Sequence, residues 1–168
     1  MRILNSLSFL KKIVSRNQLH LQIQSLKTLG PVVFTNGVFD VLHKGHVTYL
    51  AQARLQGASL VLGLNSDASA ARLGKGPDRP LNNQDDRASV LAALESISVV
   101  TFFEEDTPYE LIQLVKPDIL VKGGDYDMDK LKEAQFVRSY GGVAKSLSFV
   151  TGYSTTQLVN KIRSSRAP

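Results

Sequence analysis

Apolar residues fall in short continuous runs, and between the runs they recur every three or four positions. Pro31 to Thr35, Ser59 to Leu64, Ile97 to Phe103, Asp118 to Lys122 and Val143 to Val150 each predict a strand. Val47, Leu50, Ala51 and Leu55 predict a helix that starts near Gly45 and closes at Gly57. Asn83 to Leu94 predicts a second helix, with Arg87 in its first turns. Thr107 predicts an N-cap, with Pro108 at the first helical position and Glu110 three residues after the cap. Leu131 to Tyr140 and Ser154 to Arg163 complete the helical segments, the former stopped by Gly141-Gly142. Upstream, Leu7, Leu10, Ile13 and Val14 predict a short amphipathic helix, and Gly30-Pro31 ends the N-terminal helical region.

Several of the strands are apolar without alternation, which implies burial on both faces. Strand and helix alternate five times. The expected fold is therefore α/β: a Rossmann-like, doubly wound, five-stranded parallel sheet with helices on both faces. In such folds ligands bind beyond the carboxyl ends of the strands, where strand order reverses. The loops that follow strands are thus where chemistry is expected.

Composition narrows the classes. A chain of 168 residues fits one domain with its own core. Cysteine is absent, which removes disulfides, cysteine–zinc sites and thiol nucleophiles. No apolar run approaches the roughly 20 residues that span a bilayer, and no secretory signal is legible. Residues 1–39 carry Arg2, Lys11, Lys12, Arg16 and Lys27 and no acid, while the 15 remaining basic residues balance all 15 acids. The excess of +5 therefore belongs to the N-terminal part. Its charges are sparse and interleaved with apolar residues, so neither a nucleic-acid nor a membrane partner is expected. The expected division is a basic helical extension at 1–29 and a domain at 30–168; the acid-poor start also has the look of a transit peptide.

The loop after the first strand reads Thr35-Asn-Gly-Val-Phe-Asp-Val-Leu-His-Lys-Gly-His46. Two of the chain's three histidines lie there, in a His-x-Gly-His at the start of a helix. Free N–H groups at a helix start favour anions, and two imidazoles add donors that titrate near neutrality. Gly45 lets a backbone come close to a ligand. Phosphate binding fits this pattern better than metal ligation, because His20 lies in a different segment. No nucleophile elbow is present.

These residues are similar to the cytidylyltransferase-like nucleotidyltransferase superfamily. Further segments carry the likeness from about residue 13 to 165: Val61 to Asp67, Lys75-Gly-Pro, Arg79-Pro-Leu-Asn82, Asp86-Arg-Ala88, Phe103 to Pro108, Val121 to Tyr126 and Gly152 to Thr156. Together they resemble the branch that adenylylates D-glycero-β-D-manno-heptose 1-phosphate. Many relatives are fused to a sugar kinase, for which 168 residues leave no room, so a separate heptose kinase is expected upstream. Many also have Cys where Val38 stands. The Arg-Thr-Glu-Gly-Ile-Ser-Thr signature of glycerol-3-phosphate cytidylyltransferases is replaced by Phe149 to Thr155, without the Arg. A CTP-dependent enzyme acting on glycerol 3-phosphate or a similar ester is the alternative.

The resemblance implies roles. His43, His46 and Lys75 are the catalytic candidates. Thr35, Asn36, Gly37, Phe39, Gly45, Arg87, Lys122, Gly124, Asp125, Ser154 and Thr155 are the nucleotide-binding ones, and Asn65, Asp67 and Arg79 the acceptor-binding ones. Lys75 and Arg79 sit in a Gly/Pro loop that either closes over substrate or is solvated surface. Arg87 at a helix start fits a bound phosphate or an ion pair with Asp85 or Asp86. Asp125 fits ribose hydroxyls or a helix cap, and Ser154, Thr155 and Thr156 fit an anion site, where ordinary capping would account for one of the three. Mg²⁺ is implied by ATP and would be held by phosphate and water, with no protein ligands named. A cytoplasmic homo-oligomer, a dimer, is expected.

Overall fold

The computed structural model describes residues 7–74, 79–149 and 152–165. Five strands form one parallel sheet: β1 (Val32–Gly37), β2 (Ser59–Asn65), β3 (Val99–Phe103), β4 (Ile119–Gly123) and β5 (Val143–Leu147), in the spatial order β3-β2-β1-β4-β5. Phe34 faces Val61 on one side and Leu120 on the other, so β1 is central. Strand order reverses between β1 and β4, which places the ligand crevice at Asn36–Gly37 and Lys122–Gly123.

Helices α1 (Arg16–Thr28), α5 (Tyr109–Val115) and α6 (Lys132–Ser139) cover one face. Their Leu19, Ile23, Leu111, Ile112 and Val137 share a buried cluster with Phe34, Val61 and Leu120. On the other face α2 (Lys44–Arg54) and α4 (Gln84–Ala92) bury Tyr49, Leu50, Ala88 and Leu91 against Val33, Leu60, Leu62 and Val121. Each fully buried Leu or Val contributes about 1.5–3 kcal/mol relative to exposure. Both faces of the central strands are therefore spent on packing, and only the strand ends are left for chemistry. Helices α3 (Asp67–Arg72) and α7 (Thr155–Ser164) stand at that end.

The structure revises several local expectations. Leu7, Leu10, Ile13 and Val14 do not form one amphipathic helix. Ser8–Lys12 is a turn of 3-10 helix, and Ile13 and Val14 are extended along the edge of β3, where the Val14 N–H donates to the Val100 carbonyl at 2.9 Å. Two β-branched residues beside an open strand edge favour pairing over helix. Helix α1 follows, with the Gln18 side-chain carbonyl accepting from the Ser15 hydroxyl at 2.9 Å. Pro108, not Thr107, is the N-cap of α5, and no side chain caps it. Helix α3, absent from the sequence reading, is capped by Ser66, whose hydroxyl accepts from the Ser69 N–H at 3.1 Å. Helix α2 stops at Arg54 rather than running to Gly57, and β5 stops at Leu147.

Candidate active site

Strand β1 delivers Asn36 and Gly37 to the crevice, and the chain then turns sharply. Phe39 adopts φ +47°, a left-handed conformation that costs a non-glycine residue about 1 kcal/mol or more. Its ring folds back over Gly37, where an added Cβ would lie 2.7 Å from the ring. His43 then caps α2: its Nδ1 accepts from the His46 N–H at 3.3 Å. A neutral imidazole that accepts at Nδ1 carries its proton on Nε2, so His43 keeps a donor for a ligand. The two imidazoles stack with centroids 3.8 Å apart and planes 17° apart. Burial holds the His43 imidazole below its ordinary pKa. At Gly45 an added Cβ would meet the Tyr153 Cβ at 3.0 Å and the His43 ring at 3.1 Å, so a side chain there would push both away.

Helix α7 starts beside this loop. The Thr155 hydroxyl donates to the Val41 carbonyl at 3.4 Å, and the Ser154 hydroxyl accepts from the Gln157 N–H at 3.1 Å. Tyr153 lies 6.4 Å from His43, and the Lys44 ammonium sits 5.7 Å from the Tyr153 ring centroid. At the end of β4, the buried Lys122 donates to the Asn36 Oδ1 at 2.7 Å and lies 3.8 Å from Glu133. An ammonium has only donors, so it fixes Asn36 with its amide nitrogen turned the other way. Burial lowers the Lys122 pKa, and Glu133 opposes that shift.

These groups line one cleft of about 790 Å³, a size suited to a nucleotide-sized ligand. Of the residues expected from the sequence, Asn36, Gly37, Phe39, His43, Gly45, His46, Asn65, Arg79, Lys122, Ser154 and Thr155 line it. Lys75 lies outside the described residues. Thr35 is buried beneath the cleft, its hydroxyl 2.6 Å from the Tyr49 hydroxyl. Burial pushes Tyr49 up to about 12, so it stays a neutral donor and acceptor. Gly124 and Asp125 follow β4 but do not line the cleft.

Arg87 and Asp67 are placed differently from expectation. The Arg87 side chain is fully buried, and its guanidinium donates to the Asn82 carbonyl at 3.0 Å, the Val38 carbonyl at 2.7 Å and Asp67 Oδ1 at 2.7 Å. Neither Asp85 nor Asp86 is its partner. Arg87 thus braces the turn before Phe39 from inside, and Asp67 is its counter-ion rather than a cleft residue. Arg79 lines the cleft but is tied to Asp40 at 2.7 Å. The same carboxylate accepts from the Leu81 and Asn82 N–H groups at 2.8 and 2.9 Å. Burial pushes the Asp40 carboxyl up, but these two N–H groups and Arg79 outweigh it and hold the pKa below its ordinary value.

Thr156, read with Ser154 and Thr155 as part of an anion site, lines the cleft too, and sequence reasoning missed Tyr49, Asp106, Thr107, Pro108, Tyr126, Glu133, Phe149 and Tyr153, which also line it. Thr107 and Pro108 had a signal, since they follow a strand, but they read as a helix cap. Glu133 had none, because a Glu in a first helical turn is ordinarily solvated. Among the described residues, no three or more His, Asp or Glu side chains converge as a metal cage.

Comparison with known proteins gives the arrangement a lineage. The chain is 54% identical over 160 residues to the D-beta-D-heptose 1-phosphate adenylyltransferase of Bordetella bronchiseptica, covering 95% of this chain and 99% of that one. It is 50% identical over 152 residues to the bifunctional protein HldE of Ectopseudomonas mendocina, spanning 90% of this chain but only 32% of that protein. A crystal structure of the lipopolysaccharide core biosynthesis protein from Thermoplasma volcanium superposes with a TM-score of 0.59 at 27% identity, over 74% of this chain and 99% of that one. A pantoate–beta-alanine ligase from Francisella tularensis shares the fold, with a TM-score of 0.57 at 15% identity, over 90% of this chain and 77% of that one. The model of the cytidylyltransferase-like family matches residues 34–166, a stretch that starts within β1 and takes in all of α7, and the chain belongs to that family.

Proposed function

We propose that the protein transfers the adenylyl group of ATP to D-glycero-β-D-manno-heptose 1-phosphate, giving ADP-heptose and pyrophosphate for lipopolysaccharide core synthesis. The observation that carries the reading is the stacked His43–His46 pair at the start of α2, in a chain 54% identical to a heptose 1-phosphate adenylyltransferase.

In the reaction, a phosphate oxygen of the acceptor forms a bond to the α-phosphorus, and the bond from that phosphorus to the bridging oxygen of pyrophosphate breaks. No covalent enzyme intermediate is needed. Two anions must be held close and the charge spreading over the α-phosphate must be stabilised. His43, donating from Nε2, and His46 hold the α- and β-phosphates, with the free N–H groups of α2 behind them. Gly37 and Gly45 let Phe39, His43 and Tyr153 pack closely around the cleft and so shape it for the triphosphate. Ser154 and Thr155 at the start of α7 face the outer phosphates. Lys75 supplies positive charge, and Lys122 contributes it at the switch point. Arg79, Asn65 and the cleft beyond them serve the acceptor.

Mg²⁺ brought by ATP would supply charge neutralisation for the triphosphate and the departing pyrophosphate. Asp40 is committed to Arg79 and two N–H groups, and Glu133 stands beside Lys122, so the ion would be held by phosphate oxygens and water. The acceptor's phosphate comes from a sugar kinase acting upstream. No described helix is long and apolar enough to cross a membrane. We place the enzyme in the cytoplasm as a homodimer, where its nucleotide and sugar substrates are found.

Pyrophosphate release from purified protein, heptose 1-phosphate and Mg²⁺, with ATP compared against CTP, tests the reading. Release with ATP alone is expected. Release with CTP alone overturns it in favour of a cytidylyltransferase.

A further inference from the structure

Residues 104–108 join β3 to α5, and Asp106, Thr107 and Pro108 reach the rim of the cleft. The connection is irregular backbone, so side chains from other elements must set its shape. From α3 the Ser69 hydroxyl donates to the Glu105 carbonyl at 2.8 Å. Arg72 donates to the Glu104 carbonyl, and to Asp106 Oδ1 at 2.7 Å. From α1 the Arg16 guanidinium donates to Glu105 Oε2 at 2.6 Å. The same oxygen accepts the Glu104 N–H at 2.9 Å. One carboxylate oxygen thus ties α1 to the backbone of the connection.

Arg16 works from a fixed point. Two residues earlier the Val14 N–H is bonded to the Val100 carbonyl, and Leu19 and Ile23 bury α1 against the sheet. A cation in the first turn of a helix opposes the helix dipole, and that turn holds no acid of its own. Its charge is met instead by Glu105, 89 positions along the chain. The hydrogen bond from Arg16 holds the Glu105 carboxyl down at about 2. Glu110, in the first turn of α5, shares a hydrogen bond with that carboxyl, and its own pKa is pushed up. Without Arg16 the two carboxyl groups would meet with no cation between them.

We propose that Arg16 is a positioning residue of the cleft: acting through Glu105, it fixes the rim at Asp106, Thr107 and Pro108 in the shape that turnover needs. The kinetic part rests on the adenylyltransferase reading. The family match begins at residue 34, so a segment ahead of it shapes the site.

The test compares the wild type with Arg16→Gln, Arg16→Lys, Glu105→Gln and the Arg16→Gln/Glu105→Gln double variant, well below their unfolding temperatures. Pyrophosphate release with ATP and heptose 1-phosphate gives kcat/KM, and residue-resolved amide exchange reports on the connection. The Arg16 and Glu105 side chains are 37% and 28% exposed, so the coupling is modest. Arg16→Gln is expected to lower kcat/KM about two- to fivefold. Arg16→Lys keeps the charge and should recover most of that loss. The double variant should be no worse than the poorer single one, because both remove the same contact. In Arg16→Gln the Glu104 amide should exchange faster while the Val14 amide does not change. Faster exchange at Val14 as well would make Arg16 a docking residue for α1 alone and overturn the proposal. So would an unchanged kcat/KM in Arg16→Gln, or losses that add in the double variant. A wild type silent with heptose 1-phosphate overturns the activity reading, and the exchange at Glu104 and Val14 then decides the brace by itself.

Discussion

Arg87 and Lys122 are both buried cations beside the same cleft, and their surroundings give them opposite work. Three groups of the protein take the Arg87 guanidinium donors, two backbone carbonyls and Asp67. Among the described residues the Lys122 ammonium donates to Asn36, stands 3.8 Å from Glu133 and stays on the cleft wall. The planar fork of arginine suits a brace with several fixed acceptors, and the single ammonium of lysine suits a point charge offered to a ligand. A cation near a phosphate site is thus assigned by where its donors go, not by its charge. The same contrast separates two corners of the molecule. At the β1–α2 corner His43 accepts at Nδ1 and keeps its Nε2 donor, whereas Asp40 takes the Leu81 and Asn82 N–H groups and the Arg87 donors are turned inward.

The largest effect that separates the two corners is kinetic. His46→Ala is expected to lower turnover about 10²–10³-fold, the usual cost of removing one preorganised donor, while ATP affinity changes little. Single-turnover assays beside equilibrium nucleotide binding check this; retained turnover would remove His46 from the phosphates. Arg87→Met should do the reverse. It strands the Val38 and Asn82 carbonyls and leaves Asp67 without its counter-ion, at an expected cost of about 2–4 kcal/mol of stability. Denaturant unfolding measures it. A loss of turnover at full stability would return Arg87 to the list of phosphate ligands.

Asp40→Asn is next in size, at an expected 1–3 kcal/mol, about the cost of losing charge-assisted hydrogen bonds. Its pH dependence gives a further check. The Asp40 pKa is lowered in the folded state, so the unfolded chain binds the proton more readily. The stabilisation is therefore present above the unfolded carboxylate pKa and is lost as pH falls through the folded one. Unfolding curves of wild type and variant should converge in acid; parallel curves would mean that Asp40 does not hold the loop as a carboxylate.

These residues also mark how far the sequence could be read. The five strands are legible because β1 and β2 are almost wholly buried and so are written as unbroken apolar runs. The His-x-Gly-His is legible because a ligand-binding helix start needs particular residues at a fixed spacing. Helix α3 has six residues and no apolar stripe long enough to show a period. Arg87 misled because a buried brace and a phosphate ligand use the same residue type. Its partner Asp67 is 20 positions away and could not be paired with it without the fold. Glu133 was hidden for a related reason: its burial comes from the sheet crossover, not from its own helix. Local pattern reports secondary structure and short motifs well. It is silent on which side chains from separate loops meet at the sheet's rim.

The smallest effect expected at the β1–α2 corner is also the most direct probe of its chemistry. Burial disfavours the charged form of His43, so its imidazole should titrate below the ordinary value of 6.5 in the free protein. The unfolded chain then takes up the proton first, and the protein loses stability as pH falls through and below that value. Because Nδ1 accepts from the His46 N–H, the neutral ring should carry its proton on Nε2. Nitrogen chemical shifts across a pH titration report both the midpoint and the tautomer. Adding pyrophosphate should raise the midpoint, since a bound anion stabilises the imidazolium that burial opposes. A midpoint unmoved by pyrophosphate would separate His43 from the phosphates and leave it as the cap of α2 alone, moving it into the same structural class as Arg87.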